Sequence, residues 1–466
     1  MGDTIAGQET PSSRDRIPSR ICRVGGENRP MDSPAVRRTL AVVVLGVAVL
    51  AGSLGLLALS LSADGGQSTD AGQSAQRTDS VAVRNVGSAV STLHEEGATG
   101  ENVSVGVVDV TGFDSESDAL AGRVREARAF GEASVSGDSA SHGTAAAETV
   151  ARIAPDADLS LATVDSPSSY QRAVEWLVAQ KVDVIVAPVS FYGMPGDGTS
   201  PVAEVAARAT EEGVVFVSPT GNLARSHWSG RYRGVENGTV AFGGSARNYI
   251  RGDGRDVTVW LSWDRAHRGQ DYTAKLYWTD GKRSRLVARS SPYPGDGVPN
   301  ERIVARVRSG TYYLTVEGPA NATGARLELS SPTHDFQHVR AEESLVAPAS
   351  ARSVLTVGAY DTDGGRVEPF SSRGPTLDGR NGVDLVAPSH PAVTDAEGFE
   401  GSSAAAAYAG GIATLLLDER PDLSPRAVER RLEISALDTG QPGIDPATGH
   451  GRLRPVRAVG LDNATG

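Results

Sequence analysis

Cysteine is almost absent: the 466-residue chain contains one, Cys22. No disulfide can form within the chain, and the main body has neither a cysteine-ligated metal site nor a thiol nucleophile. Lysine is nearly as scarce, occurring at Lys181, Lys275 and Lys282, so arginine carries almost all the positive charge. Formal net charge is -12. So acidic a chain lacks the basic patch that nucleic-acid binding requires. Several signatures are missing too: there is no His-Glu-x-x-His, no P-loop, no Gly-x-Gly-x-x-Gly and no Gly-x-Ser-x-Gly. Metalloprotease, nucleotide-binding and α/β-hydrolase readings therefore lack their motifs.

What is present begins with one long apolar run. Leu40 to Leu61 is 22 residues without a charge, against the about 20 needed to cross a bilayer as a helix. Arg37 and Arg38 precede it, with Arg14, Arg16, Arg20, Arg23 and Arg29 further upstream. That bias places the N-terminus in the cytoplasm and everything after residue 62 outside. A cleaved signal peptide is the alternative, with Ser60-Leu61-Ser62-Ala63 as a weak site, although the apolar core is long for a signal. Met1 and Met31 both remain open as the start. Asp64 to about Thr78 reads as a flexible tether.

A short amphipathic helix is expected at Val83 to Glu95, and alternation follows. Strands are expected at Val103–Asp109, Asp158–Val164, Val184–Ser190 and Val214–Pro219, with helices at His142–Ile153, Tyr170–Gln180 and Pro201–Glu212. This spacing predicts βαβ units and a doubly wound, mostly parallel sheet, with functional residues at the strands' carboxyl ends. From Tyr232 to Val339 short β-rich runs replace the pattern, as in Val257–Trp263 and Thr311–Val316, and predict a β-sandwich. The α/β pattern then resumes with strands at Val354–Ala359 and Val383–Ala387. The expected order is a cytoplasmic tail over 1–38, a transmembrane helix over 39–62 and a linker over 63–82. The core follows in two parts, 83–231 and 341–462, with the sandwich over 232–340 inserted between them.

Four residues draw attention in chain order. Asp109 ends a strand, His142 opens a helix, Asn222 follows a strand, and Ser403 opens the Ala-rich run Ala404–Leu417. A serine hydroxyl is a poor nucleophile until an imidazole takes its proton, and the imidazole needs a carboxylate to fix its tautomer. A helix start favours the developing oxyanion, which Asn222 and the Ser403 N–H could hold. Each residue also has an ordinary reading: Ser402 and Ser403 as caps, Asp109 and Asn222 as turn residues. Among the other histidines, His227 lies shortly after Asn222. Sequons at Asn102, Asn237, Asn321 and Asn463 fit an external location.

Taken together, these stretches resemble the subtilisin-like serine proteases, the subtilases. Val105–Asp109 looks like that family's aspartate strand, Ser141-His142-Gly143-Thr144 like its His-Gly-Thr, and Ile153–Ala157 like the turn after it. Gly221-Asn222 is similar to its Gly-Asn, Pro369–Pro375 and Asp384–Pro388 to the run before its serine. Gly401-Ser402-Ser403 is similar to its Gly-Thr-Ser, and Gly449–Leu453 to its closing Gly-x-Gly. The resemblance implies a serine endopeptidase acting on polypeptides through Asp109, His142 and Ser403, with Asn222 in the oxyanion hole. It implies no cofactor for the chemistry, with structural calcium as an open possibility. Departures are visible. Asp109-Val110-Thr111-Gly112 is one residue longer than the family's Asp-Thr-Gly, Ala407 and Tyr408 replace its Pro and His, and Val189–Gly193 stands where the resemblance puts its Ser-Leu-Gly substrate strand. The short stretch after the apolar run leaves no room for the usual folding propeptide. These departures keep a second expectation open, a catalytically impaired subtilase fold that binds peptides or surface partners.

Overall fold

The computed structural model describes residues 87–461 apart from 140, 234–237, 295, 321, 323, 392 and 394–397. The expected tail, membrane helix and linker lie outside the described residues. Among the described residues no helix is long and apolar enough to cross a membrane.

After a helical stretch at residues 87–95, the chain forms β1 (Ser104–Asp109), β2 (Val124–Ala129), helix α1 (His142–Ile153), β3 (Asp158–Thr163), α2 (Pro167–Ala179), β4 (Val184–Val186), α3 (Pro201–Glu211) and β5 (Val215–Pro219). Ten strands follow: β6 (His227–Arg231), β7 (Asn248–Arg251), β8 (Asp256–Trp263), β9 (Thr273–Thr279), β10 (Ser284–Arg289), β11 (Ser291–Pro292), β12 (Asn300–Arg306), β13 (Thr311–Glu317), β14 (Arg326–Ser330) and β15 (Asp335–Phe336). The last elements are β16 (Leu355–Asp361), β17 (Arg366–Val367), β18 (Leu385–Pro388), α4 (Ser402–Glu419), α5 (Pro425–Ser435) and α6 (Pro455–Val459).

β1–β5 and β16–β18 make one eight-stranded sheet in the order β17-β16-β5-β4-β1-β3-β2, with β18 beside β16. Every pairing is parallel except the short β16–β17 contact. Strands alternate side chains between faces, and here both faces are covered. Val105 and Val107 of β1, Val184 and Val186 of β4, and Val215 and Val217 of β5 enter one core with α1 and α4. Val108, Ile185 and Phe216 enter the other core with α2 and α3. α4 is buried from Ser402 to Leu417. Its Ala and Gly content is what permits this: a Cβ on Gly410 would lie 2.4 Å from a Val186 methyl, and one on Gly411 2.8 Å from Ile153 Cβ.

β6–β15 form two five-stranded antiparallel sheets, β10-β9-β13-β7-β15 and β11-β12-β8-β14-β6, sharing a separate apolar cluster that includes Phe242, Val259, Leu276, Leu314 and Leu329. The pairing begins at β6, upstream of Tyr232, because His227–Arg231 lies in register against Arg326–Ser330. In the second sheet Val257, Val259, Leu261, Leu327 and Leu329 point into that cluster. The opposite face carries two cross-strand rows. Ser229, Glu328, Ser262 and Asn300 form one; His227, Ser330, Trp260 and Arg302 form the next. This polar face lies against residues 191–194. Asn300 Nδ2 donates to Gly193 O at 3.1 Å, and a Cβ on Gly193 (φ +71°) would come within 2.6 Å of the Trp260 ring.

Candidate active site

Asp109 is the last residue of β1 and fully buried. It sits at the carboxyl end of β1, between β3 and β4, where functional residues gather in such sheets. A buried carboxylate must be hydrogen-bonded. Thr111 supplies two donors to Oδ1, its N–H at 2.9 Å and its hydroxyl at 2.8 Å. His142 Nδ1 lies 2.6 Å from Oδ2. The longer turn therefore still closes, because Asp-x-Thr spacing lets Thr111 fold back in an Asx turn. The same Thr111 hydroxyl accepts the Gly143 N–H at 2.8 Å, tying the start of α1 to β1. Glycine is required at 143 by this approach: a Cβ there would lie 2.4 Å from Gly112 O and 3.0 Å from Asp109 Cβ. Ser141 caps α1, its hydroxyl accepting the Thr144 N–H at 3.2 Å and donating to Gly112 O at 3.0 Å.

Burial acts against charge on both partners, yet each prevails over it. Asp109 is held below the ordinary carboxylate value of 3.8, the charge of His142 and the bonds from His142 and Thr111 outweighing burial. His142 is raised above the ordinary 6.5 because Asp109 outweighs its own burial. With Nδ1–H donating to a carboxylate, the neutral ring presents the lone pair of Nε2. Phe399 meets the ring edge-on at 5.1 Å between centroids.

The second half of the site is built at the start of α4. Gly401 adopts φ 96°, ψ −163° as the N-cap, a conformation that favours glycine. Ser402 then clasps Asn222: its N–H and hydroxyl donate to Asn222 Oδ1 at 3.1 and 2.9 Å, and its hydroxyl accepts the Gly221 N–H at 3.2 Å. With Oδ1 engaged, the exposed Asn222 keeps Nδ2 as a donor beside the first turn of α4, whose amides have no intrahelical partner. Ser372 braces the same turn, its N–H donating to Gly221 O and its hydroxyl accepting the Leu223 N–H, both at 2.9 Å. The Ser403 hydroxyl donates to Pro188 O at 3.1 Å. No hydrogen bond joins it to His142 among the described residues.

So Asp109 and His142 are brought together and Asn222 is bound to the start of the Ser403 helix, while the Ser403 hydroxyl is turned toward Pro188. Thr111, Ser372 and Phe399 were given no role by the sequence, and Ser402 was read only as a cap and a motif residue. The Thr two residues after Asp109 was a usable signal; the Phe399 contact had none. His227 is not part of this cluster: its Nδ1 lies 2.7 Å from the Arg340 carbonyl.

One group of carboxylates elsewhere, Asp384, Glu429 and Glu433, brings its oxygens within 4.8 Å of one another. Arg426 pairs with Glu429, while Arg430 and His450 stand 3.8 and 3.6 Å from Glu433. Burial and the Glu429 charge raise Asp384 to about 8.

The chain resembles the subtilases. Residues 320–451 match the Subtilase family, a span containing Ser403 but not Asp109, His142 or Asn222. Subtilisin E of Bacillus subtilis is 32% identical over 151 residues, 29% of this chain and 38% of the relative. Serine protease AprX of the same organism is 30% identical over 116 residues, 20% of this chain and 26% of the relative. Both relatives are thus covered over well under two thirds of their length. Among solved structures, the Clostridium perfringens CspB protease aligns with a TM-score of 0.55 at 18% identity, over 78% of this chain and 95% of that one. That likeness shows the subtilisin-like α/β fold with its parallel sheet.

Proposed function

We propose that the protein is a membrane-anchored, extracytoplasmic serine endopeptidase acting through Asp109, His142 and Ser403. The observation that carries this reading is the 2.6 Å bond between His142 Nδ1 and a fully buried Asp109. It orients an imidazole whose other nitrogen is free to take a proton. Ser403 Oγ attacks the peptide carbonyl carbon while His142 Nε2 accepts its proton, and Asp109 stabilises the imidazolium. Asn222 Nδ2 and the Ser403 N–H hold the oxyanion. The imidazolium protonates the departing amine, leaving an acyl-enzyme that water cleaves by the same transfers. No cofactor enters these steps. Ser403 Oγ must leave Pro188 O first, one rotation between staggered wells, and catalytic hydrogen bonds are often loose before substrate binds.

The apolar run Leu40–Leu61 with arginines before it supports anchorage with the core outside the cell, and cleavage of that run would give a secreted form. We read the two antiparallel sheets as a β-sandwich inserted into the subtilase core. A second reading, a peptide-binding body without turnover, is favoured by the Ser403–Pro188 bond. Digestion of an unfolded protein substrate separates them. Wild type should cut it and Ser403→Ala should not; binding without cutting by wild type would select the second reading.

A further inference from the structure

One cavity lies between the core and the polar face of the second antiparallel sheet, and it holds only about 20 Å³, room for about one water. Two core segments place it beside the reacting groups. One runs on from Pro188, whose carbonyl accepts the Ser403 hydroxyl, to Phe191 and Met194 in the cavity wall. The other continues from Asn222 into Leu223, also in the wall. Val346 lines the cavity too. Its N–H donates to Thr220 O at 3.1 Å, and a Cβ on Gly221 would come within 2.6 Å of its methyl. A carbonyl held between Ser403 and Asn222 has its own residue's side chain at the mouth of this cavity.

The two-sheet segment closes the cavity with His227, Ser262, Glu328 and Ser330, which stand on adjacent cross-strand rows. Its approach is fixed by the Asn300 bond to Gly193 O and by the Trp260 ring against Gly193. These four side chains are polar, and partners already stand beside the two titratable ones. Arg326 lies 3.3 Å from Glu328, and His227 Nδ1 is 2.7 Å from the Arg340 carbonyl. A long apolar side chain would overfill the cavity and strip water from groups it cannot pair. An arginine or lysine would be too long, and would meet a carboxylate that already has its guanidinium. A methyl group or a hydroxyl is about the size of one water. Alanine and serine therefore fit, and glycine asks for no room at all.

We propose that the two-sheet segment, by closing this cavity, restricts cleavage to bonds that follow glycine, alanine or serine. The proposal rests on the endopeptidase reading and supplies what that reading leaves open, the residue whose carbonyl Ser403 attacks. Val346 sets the limit from the core side and Glu328 from the sheet side.

Two measurements on the full chain test it. Peptidyl coumarin amides differing only in the final residue should show alanine and serine ahead of leucine, phenylalanine and arginine in kcat/KM by about 10- to 100-fold, the worth of overfilling a fitted cavity. Equal or faster cleavage after leucine, phenylalanine or arginine overturns the restriction and leaves the endopeptidase reading standing. No cleavage after any residue overturns it too. If a fluorophosphonate still labels Ser403, the restriction fails alone; if it does not, the endopeptidase reading falls with it. The second measurement enlarges the cavity from its two sides. Val346→Ala and Glu328→Ala should each raise the leucine-to-alanine ratio of kcat/KM by about 10-fold, with thermal melts showing that each variant is folded. An unmoved ratio in a folded Val346→Ala protein means that substrate does not enter this cavity. An unmoved ratio in a folded Glu328→Ala protein removes the two-sheet segment's part. Either result contradicts the proposal, and the wild-type series decides it should both variants fail to fold.

Discussion

The two halves of the candidate site are held in opposite ways. Asp109 and His142 are closed on each other, with Thr111 satisfying the remaining carboxylate oxygen and tying in the next helix. Ser403 and Asn222 stand on braced backbone, yet their reactive atoms are left loose: Asn222 is fixed through Oδ1 and Ser403 is turned to Pro188. On the proposed reading the base is set before substrate arrives, and the nucleophile is one side-chain rotation from use. A carboxylate–imidazole pair misplaced in a buried site could not be corrected cheaply, whereas a hydroxyl rotor can.

Perturbing each half should give effects of different size. Ser403→Ala should cost about 10⁶-fold in kcat, measured by hydrolysis of a peptide amide. Asp109→Asn should cost about 10⁴-fold through the wrong tautomer. It should also move the acid limb of kcat/KM downward. In wild type the limb should lie above 6.5, since Asp109 raises His142 and the base must be neutral. The same pair bears on stability. Its contribution is full between the ordinary values of 3.8 and 6.5. It fades as pH rises through the raised His142 value or falls through the lowered Asp109 value, which thermal melts across pH would show. Asn222→Ala should lower kcat by about 10²–10³-fold with KM little changed. An equal loss on both sides of that ratio would mean Asn222 only braces α4. Thr111→Val should cost least, about 10-fold, while lifting the lowered Asp109 value. Far from both halves, Leu329→Ala should remove about 2–5 kcal/mol of stability without altering the pH profile.

The parallel core was legible because its strands are continuous apolar runs between capped helices. The helix expected from Tyr170 begins earlier, at Pro167, where Ser166 caps it; Ser200-Pro201 and Ser424-Pro425 open two others in the same way. β2 was not, since Val-Arg-Glu-Ala-Arg-Ala forms an exposed edge with no apolar run. In the antiparallel segment β8, β9, β12, β13 and β14 followed their hydrophobic alternation. β6 did not: His227-Trp228-Ser229-Gly230-Arg231 has no alternating apolar face and is a strand through pairing with β14. The candidate residues stood out in order because each lies at or just beyond the end of an element. The supports were less visible. Ser402 and Ser372 act through contacts across 180 and about 150 residues, which spacing does not encode.

The most direct test of the central claim is covalent. A fluorophosphonate reacts only with a serine whose proton is taken by a positioned base. Wild-type protein treated with such a probe, digested and mapped by mass spectrometry, should carry the adduct on Ser403 and lose it in Ser403→Ala and His142→Ala. An adduct on Ser402, labelling that survives His142→Ala, or no labelling at all would contradict the account.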